Sequence, residues 1–428
     1  MLLRSMLFAL ALLAPLACHA QDTLEKVVIL TRHGVRAPMS SPEQLGDFSI
    51  RPWPRFDVPA GDLTANGAVL EQRLGQYNRE RYIHDRLLQG DTTDCARVYL
   101  HANRTQRTLA TAQALASTLL PDCKATVHQA PENTEDPLFE GPAAFHTPDA
   151  ARKMAAAISG RIGGDPVAWN AAQADAIDGM QRLLLQCGAG TCPQHPIAGK
   201  QRLDAVPIGL PSSARGIPGI EGPVAKASGI SESLLMAWAD GRDFDALGWS
   251  GLDDASLLRA FAPHQAEFAL RLRAPDVARM ASSHLAARLL ATLAQGSGVH
   301  TPYQSIGGQA PMVILSGHDG TLTMLAGLFD LHWQLPGYQP DQTPPGGALV
   351  FERWRQPDGH RVIRARYTAQ TLDQLRRRSP LTLDAPPPSS PLYIPGCPSH
   401  GSSHDCPMAD FARLAQARID PAFVVETD

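Results

Sequence analysis

Beyond its first twenty residues the chain has no unbroken apolar run of the ~20 residues that a membrane-spanning helix needs. A transmembrane protein is therefore excluded at this level, and the mature chain is expected to be soluble. It also lacks any long Lys/Arg block: 38 Lys and Arg stand against 42 Asp and Glu, leaving a formal charge of −4. Neither nucleic acid nor an anionic membrane surface fits such a chain as a partner. Any attraction for an anionic ligand must be built locally. No internal repeat is visible, so a stacked-repeat architecture is set aside.

At the N-terminus, Arg4 precedes an apolar run over 6–17, and small residues end at Ala20. This is the layout of an export signal, expected to be cleaved after Ala20 and to place the protein in the periplasm or outside the cell. Pro15 stands where a lipoprotein signal has an aliphatic residue, so Cys18 is expected to leave with the signal. Of the seven cysteines this leaves Cys95, Cys123, Cys187, Cys192, Cys397 and Cys406. An even set in an exported chain reads as disulfides. Many pairings are open; joining Cys95 to Cys123, Cys187 to Cys192 and Cys397 to Cys406 closes each loop without crossing the chain. A rival reading makes Cys397, His400, His404 and Cys406 a zinc site.

The length suits a core with a large second region. Val27, Val28, Ile29 and Leu30 form a short β-branched run, the mark of a strand buried on both faces. Thr64 is a plausible N-cap for an amphipathic helix reaching about Leu88. A second strand is expected over 96–100, then a helix over 105–119. Between 132 and 263 the strand signal fades into helical pieces and loops. Alternation returns with a helix over 276–295, a strand over 312–315, and two extended runs, 348–354 and 361–368, read as a hairpin. The Pro- and Ser-rich 384–391 reads as a surface loop. Alternating strands and helices predict an α/β fold.

The chemistry concentrates in Arg32, His33, Gly34, Val35, Arg36, Ala37 and Pro38, at the end of the first strand. Open α/β sheets expose ligand-binding residues there. Attack on a phosphate ester brings electrons toward an anionic group, so it needs an unprotonated nucleophile beside concentrated positive charge. Two arginines offer permanently charged forks for phosphate oxygens, and a neutral imidazole can take the phosphoryl group. Gly34 is expected to let the backbone approach the phosphate. A second cluster, Ser316, Gly317, His318 and Asp319, also ends a strand and precedes a helix.

These two segments resemble the RHGxRxP and HD motifs of the histidine acid phosphatases, the group that includes bacterial phytases and glucose-1-phosphatases. The resemblance extends over nearly the whole mature chain and also supports the local cysteine pairing. It implies a phosphoglycerate mutase-like three-layer α/β core with a mixed sheet, formed by 21–131 and 264–428, with 132–263 as a mainly helical insertion. It implies His33 as nucleophile, Asp319 as proton donor, and Arg32, Arg36 and His318 on the transferred oxygens. Of Arg104 and Arg107, the match to an Arg-Thr pair with a further Thr selects Arg107, followed by Thr108 and Thr111. Asn103, Glu232 and His264 fall at substrate-side positions; a plain helix cap, for Asn103, and solvated helix faces, for the other two, are the competing readings.

The chain departs from the enteric phytase type at Ser40 and Ala281, where basic residues are expected, and at Gly320 and Thr321 after the HD pair. These positions bear on the substrate rather than the chemistry, and Arg104, Lys226 or Arg279 are candidates to compensate. The expectation is a monomeric phosphomonoesterase without metal or cofactor, acting on phytate and simpler sugar phosphates. A glucose-1-phosphatase, a phosphohistidine mutase and a non-catalytic phosphate-binding protein are the alternatives.

Overall fold

The computed structural model describes residues 21–188, 192–193 and 197–425; the expected export signal, with Arg4, Cys18 and Ala20, lies outside them. The strands in chain order are β1 Thr23–Arg32, β2 Val98–Ala102, β3 Val127–His128, β4 Gly209–Ser212, β5 Gly219–Glu221, β6 Met312–Gly317, β7 Ala348–Arg355, β8 Arg361–Thr368, β9 Ser389–Leu392 and β10 Cys406–Pro407. Eight of them form one mixed sheet in the order β10, β8, β7, β1, β6, β2, β3, with β9 paired onto β8. β4 and β5 make a separate hairpin.

The apolar run of β1 explains its central place. Val27 and Ile29 enter one hydrophobic cluster and Val28 and Leu30 another. Successive side chains of a strand point to opposite faces, so helices covering both faces bury all four, each worth roughly 1.5 to 3 kcal/mol. β6 lies parallel to β1, with Arg32 opposite Gly317, and β2 lies parallel to β6, with Ala102 opposite Ser316. Both motifs thus reach the same end of the sheet. The antiparallel β7 and β8 form the expected hairpin.

Several boundaries differ from the sequence reading; the helix expected to reach Leu88 ends at His84. β2 starts later because Thr92–Ala96 winds into a 3-10 helix capped by Asp91. The segment read as a surface loop over 384–391 ends in β9, an edge strand that places Pro391 opposite Arg366; an edge tolerates a residue that cannot donate to the ladder.

Helix Ala65–His84 starts at Thr64, whose side chain accepts from Gly67 N at 2.9 Å. A Cβ at Gly67 would lie 2.1 Å from the Val35 carbonyl oxygen, so only glycine lets this helix pack against the motif segment. Within 132–263 lie helices Pro148–Arg161, Ala174–Leu185 and Pro223–Ala239, among shorter ones, together with the β4–β5 hairpin. Helix Ala262–Arg271, which crosses the expected boundary at 263, packs on Pro223–Ala239 through Ser228, His264 and Glu267. One apolar cluster joins Val28 and Leu30 of the sheet to Leu234, Phe244 and Phe261.

Three disulfides, Cys95 to Cys123, Cys187 to Cys192 and Cys397 to Cys406, follow the local pairing. The last removes both thiolates from the rival zinc site. Among the described residues no helix is long and apolar enough to cross a membrane.

Candidate active site

Three adjacent strand ends supply the centre. His33 N donates to Gly317 O at 2.9 Å, and Asn103 N donates to Ser316 O at 3.0 Å. From the loop before β7, Gly347 O accepts from Arg32 N at 2.9 Å, while Gly346 N donates to His33 O at 3.2 Å. The backbone of His33 is therefore held from both neighbouring strands. Its Nδ1 lies 2.9 Å from Gly34 O. As a carbonyl can only accept, Nδ1 carries the hydrogen and Nε2 keeps its lone pair. Burial first, then Arg32, Arg36 and His318, hold the ring well below the usual histidine range. A buried imidazole held neutral and ringed by cations is chemically suited to attack an anionic electrophile.

Arg32 is wholly buried, with Nη1 donating to Thr343 O at 2.6 Å and Nη2 bonded to Glu232 Oε1 and 3.1 Å from Asp319 Oδ2. Arg36 Nη2 reaches the same Glu232 oxygen at 3.2 Å. Arg107 completes the group: burial lowers its pKa, and repulsion from Arg36 and Arg32 lowers it further. Three guanidiniums thus face two carboxylates, leaving net positive charge where a phosphoryl group would sit. Arg104 points elsewhere, donating to Ala130 O at 2.8 Å from an exposed position.

Asn103 is not a simple helix cap. Its Oδ1 lies 3.1 Å from His318 Nε2 and its Nδ2 donates to Glu140 Oε1 at 3.0 Å. The His318 ring packs edge-on to His33 with centroids 5.6 Å apart, and burial and Arg107 lower its pKa to about 4. Asp319 opens helix Asp319–Phe329. Burial works against its charge, but Arg32, His264, Arg36 and His318 outweigh that and hold the carboxyl at about 2. The Gly320 amide donates to Asp319 Oδ1 at 2.7 Å. Thr321 is buried just behind it.

Glu232 and His264 are buried in the cleft rather than lying on solvated helix faces. A nitrogen of His264 and oxygens of Glu232 and Asp319 lie within 4.8 Å of one another. That spacing could receive a cation, yet Arg32 and Arg36 already contact these carboxylates and would repel one.

Ser40 lines a cavity of about 660 Å³ with Lys226 and Gly229, along the helix that carries Glu232. Lys226 Nζ stands 5.2 Å above the Phe48 ring. Arg279 faces Asp420 at 3.9 Å, and Ala281 packs in an apolar cluster with Val277 and Leu270. Of the three cations considered as compensation, only Lys226 stands beside Ser40. At Gly34 the structure adds a packing reason for glycine: a Cβ there would lie 2.7 Å from Glu71 Oε1 and 3.1 Å from Leu63. The glycine makes room for a buried side chain behind the motif.

Residues 23–185 and 245–368 match the histidine phosphatase superfamily (branch 2). The chain belongs to this family. It is a histidine acid phosphatase, a hydrolase of phosphate monoesters. It is 34% identical to phytase AppA of Escherichia coli over 95% of this chain and 96% of the relative. It is 26% identical to the glucose-1-phosphatase of Providencia rettgeri over 96% and 97%. Among solved structures, the Hafnia alvei phytase in complex with tartrate aligns with a TM-score of 0.83 and 31% identity, covering 95% of this chain and all of that one. The same phytase in complex with myo-inositol hexakis sulphate gives 0.80 and 30%, over 95% of this chain and all of that one.

Sequence reasoning missed several residues at this family's site. Thr343 acts through a carbonyl, which no side-chain motif reveals. Ser228, which bonds to both His264 and Glu267, and Glu267 look like ordinary helix polarity; their spacing of one helical face on each of two helices was the only signal. Glu140 and Glu71 carried none.

Proposed function

We propose that this chain is a periplasmic or secreted acid phosphatase that uses a phosphohistidine on His33, with phytate as its preferred ester and simpler sugar phosphates as further substrates. The observation that carries the mechanism is the neutral, buried His33 ring amid Arg32, Arg36 and Arg107. His33 Nε2 attacks phosphorus in line with the ester oxygen. Arg32, Arg36, Arg107 and His318 take the non-bridging oxygens, and Asp319 protonates the departing alcohol. Water, deprotonated by Asp319, then cleaves the phosphorus–nitrogen bond and releases inorganic phosphate.

Several features support the remaining assignments. Residues 132–263 act as an inserted domain whose helix Pro223–Ala239 carries Glu232 to Arg32 and Arg36 and Lys226 to the cavity lined by Ser40. Lys226 beside Ser40 offers a cation for a peripheral phosphate, which favours phytate over glucose 1-phosphate. The disulfides and the N-terminal signal pattern favour export. The protein works as a monomer, without nucleic acid, membrane, metal or cofactor.

Rapid quenching should leave a base-stable, acid-labile phosphoryl label on His33, and His33→Ala should lose both label and turnover. Retained turnover in that variant contradicts the mechanism. The substrate is tested by kcat/KM for phytate and glucose 1-phosphate in one acidic buffer. Phytate should lead, and Lys226→Ala should cut that lead; a tenfold preference for glucose 1-phosphate overturns the phytase reading alone.

A further inference from the structure

His264, Ser228 and Glu267 form a hydrogen-bonded chain that the chemistry above does not use. Ser228 Oγ lies 3.1 Å from His264 Nδ1, and the same hydroxyl donates to Glu267 Oε2. The other oxygen of Glu267 accepts from Arg271 Nη1. His264, Ser228 and Glu267 are 4%, 3% and 8% exposed, so these bonds are not exchanged with water. A hydroxyl has one hydrogen. With that hydrogen committed to Glu267, Ser228 can only accept from the ring; Nδ1 is then protonated and Nε2 is left to exchange a proton. Phe261 and Phe268 flank the ring at centroid distances of 4.5 and 3.9 Å, which leaves its polar edges as the only exits. The carboxylates of Glu232 and Asp319 lie within 4.8 Å of one of its nitrogens.

The reaction has a proton to keep. Asp319 must carry one when the ester oxygen leaves, yet its contact with Arg32 favours the carboxylate in the free enzyme. We propose that His264 stores this proton between turnovers, with Ser228 and Glu267 as positioning residues that fix its tautomer and favour its cation. The inference rests on Asp319 being the proton donor. When phosphate arrives, its negative charge competes for Arg32 and weakens the hold on Asp319. The proton moves from His264 Nε2 to the Asp319 carboxylate, leaving a neutral ring and a neutral acid. Asp319 passes it to the bridging oxygen as the phosphorus–oxygen bond breaks, and regains one from the water that opens the phosphohistidine. When inorganic phosphate leaves, the proton returns to Nε2. Burial disfavours the charged ring and pulls it below the usual histidine range; Glu232, Asp319 and Glu267 oppose that, and Arg32 adds to it. Proton storage therefore belongs to acidic solution.

The test compares kcat against pH for an alkyl phosphate and p-nitrophenyl phosphate in the full-length enzyme, Glu267→Gln and Ser228→Ala, with melts to establish folding. Removing the Glu267 charge should move the alkaline limb for the alkyl ester down by about one pH unit. Ser228→Ala should move it in the same direction, and the nitrophenyl ester should lose less in both, since nitrophenolate leaves without a proton. Histidine-labelled NMR of the wild-type enzyme should find His264 doubly protonated below its alkaline limb. Unmoved limbs in folded variants, equal losses on both esters, or a neutral His264 throughout overturns the proposal. Asp319→Asn separates the two readings. If it fails to distinguish the esters, the proton-donor reading falls and the storage role with it; if it distinguishes them while Glu267→Gln leaves the limb in place, only the storage role falls.

Discussion

Asp319 Oδ2 lies 3.1 Å from Nη2 of Arg32, a pair brought together because β1 and β6 end side by side with Arg32 opposite Gly317. One contact thus links the residue proposed to bind phosphate with the one proposed to donate the proton. Asp319→Asn should lower kcat for alkyl phosphates by roughly 10²- to 10⁴-fold, the usual worth of a general acid. Activated aryl phosphates, whose leaving groups need no proton, should lose far less. Steady-state kinetics on matched esters at one acidic pH checks this, and similar losses on both would remove Asp319 from the acid role.

Glu71 gives a second prediction. Its carboxyl is buried against Gly34, 1% exposed, and burial alone pushes it up to about 8 from an ordinary 4.5. A raised carboxyl pKa means that the folded state holds its proton while the unfolded state releases it above about 4.5. Stability should therefore be fullest below pH 4.5, fall as pH rises toward 8, and level off beyond. The loss is on the order of 5 kcal/mol. Glu71→Gln should flatten this slope and leave the variant more stable than wild type at pH 8, measured by urea unfolding across that range. A parallel slope in both proteins would place the titrating group elsewhere.

The disulfides differ in what they close. Cys95 to Cys123 spans 28 residues and Cys187 to Cys192 only 5. In the chain-entropy account the longer loop is worth about 3.6 kcal/mol and the shorter about 2 kcal/mol. Replacing each pair with serines and measuring unfolding free energies should rank them in that order; the reverse ranking would mean that native contacts around the short loop dominate.

The strands that carry the two motifs were legible because each contains an unbroken apolar run, Val27 to Leu30 and Met312 to Leu315, with charged residues close behind it. Such a pattern has few interpretations when both sheet faces are covered. Helix starts such as Thr64 were readable because capping is a local bond. What escaped was set by contacts distant in sequence. Ala281 packs inside an apolar cluster and Arg279 faces Asp420, and no periodicity foretells that the C-terminal segment crosses there. Ser228 and Glu267 were invisible for a related reason: a polar residue on a helix looks solvated until a second helix covers it. β9 hid in a Pro-rich stretch because an edge strand can carry a proline that a central one cannot.

Arg32 is fastened on one side by side chains and on the other by the Thr343 carbonyl. Every residue type brings the same carbonyl, so the identity at 343 can drift without loosening this fastening. Thr343 is itself buried, but among side chains small enough for that space a scan of the position would look permissive even though its backbone oxygen grips the most deeply buried cation of the centre. Only an insertion or deletion between 343 and 347, which shifts that oxygen along the chain, would expose the dependence, and it would do so as a loss of phosphate affinity.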